Sequence, residues 1–417
     1  MLDRFQAPLI QEVQEVTLPN IEHLENRNGV KVHYHYTPNT ETFKLELYTN
    51  GSQFNAVNSA ECQLSLKLLK EGTNTKSSKE YSIAIDSIGS FLEISPGFDQ
   101  SSITIFGLSK YFKENVQLLT ELIHEPAFKE TSLERLKSKE IDRLKQNLEK
   151  GSYLSSINLR NALFGLNHPY GHVLSEVDIN DLTQKQVSSF HKKHISSFEI
   201  YLSGDIDKNY LSHLDSFIGN QKKKINYTSE SIPKIKDSVI RSEKFVQSSI
   251  KLGKRLFTRS HKDYFKFIVT NEILGGYFGS RLMKNIREEK GLTYGIFSHL
   301  YSLKHDGYFL ISSDIKGENE SLALEEIKKE IISLQNIEVS KEELQTVKNY
   351  MIGTFVNSLS NPFGIIEKHK ILLSQELAPD FYDHYISAIK EVKAIEIMEM
   401  ASLYLHSDSL TISIVGN

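Results

Sequence analysis

Two stretches of this 417-residue chain end alike: FEIYLSGD at 198–205 and LTISIVGN at 410–417 each read as an apolar strand closed by a glycine or a glycine-containing turn. The same ending late in each half predicts an internal duplication, which confines the chain to two similar units laid down one after the other. The patterns around the endings agree. In the first half, strand-like stretches at 30–36, 43–49, 91–95 and 102–107 alternate with helical periodicity at 62–70, 110–123, 132–149, 155–164 and 181–194, before a strand at 198–203. In the second, strand patterns at 249–256, 292–301 and 307–313 alternate with helical ones at 264–274, 318–334, 341–358, 362–373 and 392–403, before a strand at 410–415. This order predicts an α+β protein of two homologous domains, each a mostly antiparallel sheet with helices packed on one face. The expected domains are 1–220 and 241–417. Between them, 221–240 reads as a linker, because QKKKINYTSESIPKIKD is polar, lysine-rich and broken by Pro233.

Charge and cysteine use narrow the partners. The formal net charge of −4 gives no electrostatic reason to expect nucleic acid. A single cysteine, Cys62, excludes an internal disulfide framework and a multi-cysteine metal site. The N-terminus carries Asp3, Arg4, Glu12 and Glu15 and lacks the apolar core of a signal peptide, and no later run is long enough for a membrane helix. The expected location is therefore the cytoplasm, with no membrane partner.

The most informative segment is 275–298, GGYFGSRLMKNIREEKGLTYGIFS. A glycine-rich turn leads into a helix with Leu282, Met283 and Ile286 on one side. The helix stops at Gly291 and a strand is expected over 292–298. Arg287 then stands near the helix end and Tyr294 on the strand, two strong donors suited to gripping a peptide carbonyl or carboxylate. Gly275, Gly276, Phe278 and Gly279 form the expected substrate-binding surface, since missing side chains let a peptide backbone approach closely.

The run resembles the signature of the pitrilysin/mitochondrial-processing-peptidase family, the inverzincins, through Gly275, Gly276, Phe278, Gly279, Arg281, Leu282, Arg287, Glu288, Gly291, Leu292, Tyr294 and Ser298. His168-Pro169-Tyr170-Gly171, Gly72-Thr73 and the strand ending at 202–205 extend the likeness along nearly the whole chain. Active members carry H-x-x-E-H, two zinc-binding histidines on one helix face and a glutamate that activates water. Counting back from Gly72-Thr73, the motif should fall at 63–67, where this chain has QLSLK. Gln63 is a weak zinc ligand, Leu66 cannot take a proton from water, and Lys67 puts a cation where the metal should be. The distal glutamate should fall within EIDRLK at 140–145; Asp142 or Arg143 is closest to the expected spacing, and Glu140 and Asp142 have no histidines to join. His33/His35 lacks a third ligand, Pro169 and Gly171 forbid a helix that would align His168 with His172, and His191/His194 has no nearby acidic partner, so all three pairs read as packing or surface histidines.

This chain is thus expected to hold no metal. The resemblance implies the non-zinc subunit of a heterodimeric zinc metallopeptidase, part of an endopeptidase but not catalytic alone. Its zinc would belong to a homologous zinc-bearing partner subunit, and Arg287 and Tyr294 would reach that partner's site. The resemblance also implies an unfolded peptide as substrate and allows a homodimer. The alternative is a catalytically inactive peptide-binding or scaffold homologue.

Overall fold

The computed structural model describes residue 13, residues 16–219 and residues 237–417. Most of the predicted linker lies outside the described residues, but its last part does not: Ser238–Arg241 is a strand of the second sheet.

Among the described residues, eleven strands form two sheets: β1 Glu22–Glu25, β2 Lys31–Tyr36, β3 Thr42–Thr49, β4 Phe91–Ser95, β5 Ser101–Leu108, β6 Phe198–Gly204, β7 Ser238–Arg241, β8 Gln247–Leu256, β9 Ile296–Ser302, β10 Gly307–Lys316 and β11 Thr411–Gly416. The first sheet runs β1-β2-β6-β3-β5-β4 and the second β7-β11-β8-β10-β9. Without β1 the two orders coincide position for position. Each contains one parallel pair, β2 with β6 and β7 with β11, in otherwise antiparallel surroundings. The two similar endings in the sequence are β6 and β11, which hold equivalent places. The predicted duplication is therefore visible as repeated topology.

Period-two side-chain alternation decides which way each sheet faces. In β3, Phe43, Leu45 and Leu47 enter the first core, under helices Ser59–Leu68, Phe112–His124 and Glu130–Leu148. In β8, Ile250 and Leu252 enter the second core with Tyr264–Asn271, Glu320–Asn336 and Ala394–Tyr404. These are the expected helical faces.

The opposite faces are covered as well, by exchange. Helix Gly151–Phe164 of the first half lies on β8 and β11, and helix Pro362–Ser374 of the second half lies on β2 and β6. Gly253 makes the first contact close, since a Cβ there would stand 3.0 Å from Leu159 Cδ2. In the second, Ser203 Oγ donates to Pro362 O at 2.8 Å.

Exchange explains why polar residues of β3 are buried. Lys44 and Glu46, on the face away from the first core, meet Glu367 and Lys370 of the exchanged helix. Each of these four buried or half-buried charges faces an opposite one, so none is left uncompensated. Among the described residues no helix is long and apolar enough to cross a membrane.

Candidate functional site

Helix Ser59–Leu68 begins at Asn58, whose side chain accepts from Glu61 N at 3.0 Å, while Glu61 Oε2 accepts from Val57 N at 2.8 Å. The i, i+3, i+4 spacing then sets Gln63, Leu66 and Lys67 on neighbouring positions of one helix. Leu66 is fully buried in the core, with no proton-transfer chemistry to offer. Lys67 Nζ donates to Glu140 Oε2 at 2.6 Å; the two side chains are 25% and 7% exposed. Glu140 therefore has a partner after all, the ammonium of the residue that the sequence resemblance sets at the second histidine position. Asp142 is exposed.

Zinc does not fit this residue set. An amide, a buried leucine and an ammonium stand where the resemblance expects two imidazoles and a general base, and the positive charge facing Glu140 is supplied by Lys67. Among the described residues no group of three or more His, Cys, Asp or Glu side chains could hold a metal ion.

The three histidine pairs are spoken for. His33 lies between His23 and Glu199, each at 2.7 Å. His168 Nδ1 accepts from Tyr170 N at 3.0 Å inside an aromatic cluster with Phe54 and Phe164. His172 shares a 3.1 Å hydrogen bond with Ser59, while His191 packs on Phe128 and His194 on Phe190. Cys62 is buried, and burial pushes its thiol up to about 12, which removes it as a nucleophile at neutral pH.

In the second half, helix Tyr264–Asn271 widens into a π turn at Glu272–Gly276, and a second π turn, Met283–Glu289, follows the glycine-rich bend. Leu282, Met283 and Ile286 are buried as the pattern required. Gly291 closes the segment at φ +61°, a left-handed conformation suited to glycine, with Leu292 N donating to Ile286 O at 2.9 Å.

The strand starts later than expected, at Ile296, so Tyr294 sits in a bend before it rather than on it. The cause is Thr293. Its Oγ1 donates to Asp314 O at 2.7 Å and accepts from Gly295 N at 3.1 Å, holding 293–295 as a turn off the ladder. Tyr294 is 93% exposed as a result. The Arg287 guanidinium lies 4.5 Å from the centre of the Phe278 ring, so Phe278 serves as its platform.

Each of the three glycines makes room for a neighbour within this chain. Gly275 is buried, and a Cβ there would stand 2.7 Å from Ser298 Oγ and 2.8 Å from Ser298 N. Its missing side chain admits this chain's own β9, so Gly275 is not an open substrate-facing position. Gly276 leaves room for the Glu272 carboxylate and Gly279 for the Tyr277 ring. Burial raises the Glu272 carboxyl to about 7.

The sites of the two halves are separate surfaces. Gln63, Lys67 and Glu140 line a cavity of about 550 Å³ together with Arg143 and Arg160, and neither Arg287 nor Tyr294 lines it. Ile94 and Ser95 of β4 form part of its wall, and β4 is an edge strand whose outer side is unpaired within the sheet. The equivalent edge of the second sheet is β9, which follows directly on Tyr294. Sequence reasoning missed Arg160; it lies on the exchanged helix, outside every motif.

Fold and site together define a duplicated α+β protein in which a Lys67–Glu140 ion pair stands where the sequence resemblance expects a metal motif. Residues 181–351 match the family model described as the peptidase M16 inactive domain. Among curated proteins the chain is similar to the "Probable inactive metalloprotease YmfF" of Bacillus subtilis (26% identical, covering 70% of this chain and 72% of the relative). It is also similar to the "Non-peptidase homolog YmxG" of Helicobacter pylori (22% identical, 85% and 84%) and the "Uncharacterized zinc protease YmxG" of B. subtilis (21% identical, 76% and 80%). The crystal structure of a peptidase M16 inactive domain from Pseudomonas fluorescens superposes with a TM-score of 0.83 at 22% identity, covering 95% of this chain and 98% of that one. These matches support a pitrilysin-family member of the non-zinc kind.

Proposed function

We propose that this chain is the non-zinc subunit of a two-subunit metallopeptidase, lending substrate-binding surface and the Arg287/Tyr294 pair to a homologous zinc-bearing partner. One observation carries the reading: Tyr294 is 93% exposed in a bend braced by Thr293, at the head of an edge strand. A large aromatic held out on a braced turn contributes nothing to this chain's own core, and its phenol is free to donate elsewhere. In the complex the Tyr294 hydroxyl donates to the oxyanion that develops at the scissile carbonyl, and the Arg287 guanidinium holds a neighbouring substrate carbonyl. An unfolded peptide would lie along a free edge strand by main-chain pairing. The proposed compartment is the cytoplasm, and a homodimer is the form available when the partner is absent.

Expression of this chain alone and together with a zinc-motif homologue from the same organism tests the reading. Zinc content and cleavage of an unstructured peptide are measured in both samples. Cleavage only in the mixture is expected; zinc and turnover in the single chain would overturn it. The second reading, a peptide-binding protein without any peptidase role, is favoured by the name of the H. pylori relative, a non-peptidase homologue. It predicts a mixture no more active than the zinc subunit by itself.

A further inference from the structure

The cavity at the vacated metal position has changed its charge. Its charged lining residues are Lys67, Arg143, Arg160 and Glu140, three cations against one carboxylate, and Glu140 is already taken by Lys67. Arg143 and Arg160 make no ion pair among the described residues. Arg160 is the more telling of the two. Its guanidinium lies 5.4 Å from the centre of the Phe98 ring, and its Nε is buried with no hydrogen-bond partner. A ring face attracts a cation but accepts no fork of hydrogen bonds, so the Phe98 contact does not satisfy the Nε donor. A buried donor without an acceptor is costly, and native structures keep few of them.

The surroundings specify the missing acceptor. Ile94 and Ser95 bring the free β4 edge to the cavity rim, and Phe98, Leu144 and Ile157 give it apolar walls. Its volume of about 550 Å³ lies in the range of small-ligand sites. A guanidinium with an unsatisfied Nε donor at the end of an unpaired strand edge matches a peptide that carries a carboxylate.

We propose that the former metal cavity is a carboxylate-binding site, in which Arg160 and Arg143 receive an anionic group of a peptide lying along β4. The group is the peptide's C-terminal carboxylate or an acidic side chain; both offer the same two oxygens. This deepens the peptide-binding part of the proposed function and rests on it. It also gives a reason for Lys67 beyond inactivation: by neutralising Glu140, it leaves the two arginines in charge of the cavity.

Fluorescence anisotropy with the full chain and labelled short unstructured peptides tests this. One peptide carries a free C-terminus and no acidic side chain, a second is its C-terminal amide, and a third is the amide with internal glutamates. Tighter binding of the first or third than of the second, by tenfold or more and weakened by salt, is expected, and the pattern identifies the carboxylate's source. Arg160→Gln should erase the difference, and the exposed Arg143→Gln should reduce it without endangering the fold. Equal affinity for all three peptides removes the carboxylate site and leaves peptide binding standing. Failure to bind any of them overturns both the site and the peptide-binding reading, whereas partner-dependent cleavage through Tyr294 is read in a separate assay.

Discussion

Replacing Lys67 by methionine tests whether its ammonium supplies the counter-charge that buried Glu140 needs. At an N–O distance of 2.6 Å and an effective dielectric of about 20, the attraction to Glu140 is on the order of 6 kcal/mol. Desolvation of a carboxylate only 7% exposed offsets much of it, so the intact pair contributes little net stability. Removing the lysine alone is different, because the carboxylate remains buried without a counter-charge. Such losses run to about 3–5 kcal/mol, and the quarter exposure of Lys67, which lets water reach the site, places this one near about 3 kcal/mol. Glu140→Gln should cost about 1 kcal/mol, and Lys67→Met/Glu140→Gln should recover most of the loss, to about 1 kcal/mol below wild type, giving a coupling of about 3 kcal/mol. Urea unfolding at neutral pH, followed by two probes to check that both halves melt together, supplies the values. A Lys67→Met variant within about 0.5 kcal/mol of wild type, or strictly additive single substitutions, would refute the reasoning.

Acid should destabilise the chain through His191, whose imidazole is lowered to about 4 by burial first and by His124 second. The unfolded chain takes up a proton that the folded one refuses, so stability is full above pH 6.5 and falls by about 3 kcal/mol as pH drops to 4. His191→Gln should flatten that part of a melting curve series; an unchanged slope would remove His191 as the cause. Gly275→Ala should destabilise by about 1–3 kcal/mol, since the new Cβ meets Ser298 backbone at 2.8 Å, and a Tm equal to wild type would show that β9 can yield. Gln63→His/Lys67→His joins two imidazoles to Glu140 and should take up roughly one zinc per chain. No uptake by metal analysis would mean that Glu140 stands out of ligand reach.

Much of this fold was readable because it is repeated. The strand endings at β6 and β11 carry the same apolar run and glycine, and helix Lys341–Ser358 falls where its periodicity put it. Helix Ser78–Ser87 went unread although Ser77 and Glu80 form a capping box, a signal present in the sequence. The exchange of Gly151–Phe164 and Pro362–Ser374 was not legible, because an apolar face does not say whose sheet it will cover. In the site, the absence of any histidine or carboxylate at 63–67 was plain from the residues themselves. The pairing of Lys67 with Glu140 was not, since it joins two helices whose approach only the packed core sets. Tyr294 left the predicted strand for a local reason, the bonds Thr293 makes to Gly295 and Asp314.

The central claim concerns Tyr294, and its exposure allows a clean measurement. Tyr294→Phe removes one hydroxyl from a side chain 93% exposed, so the Tm of this chain should not move. In a mixture with the zinc-bearing homologue, kcat for an unstructured peptide should fall by about 10²-fold, the loss typical of one oxyanion donor. An unchanged kcat at unchanged Tm would contradict the account and leave the chain a silent binding protein.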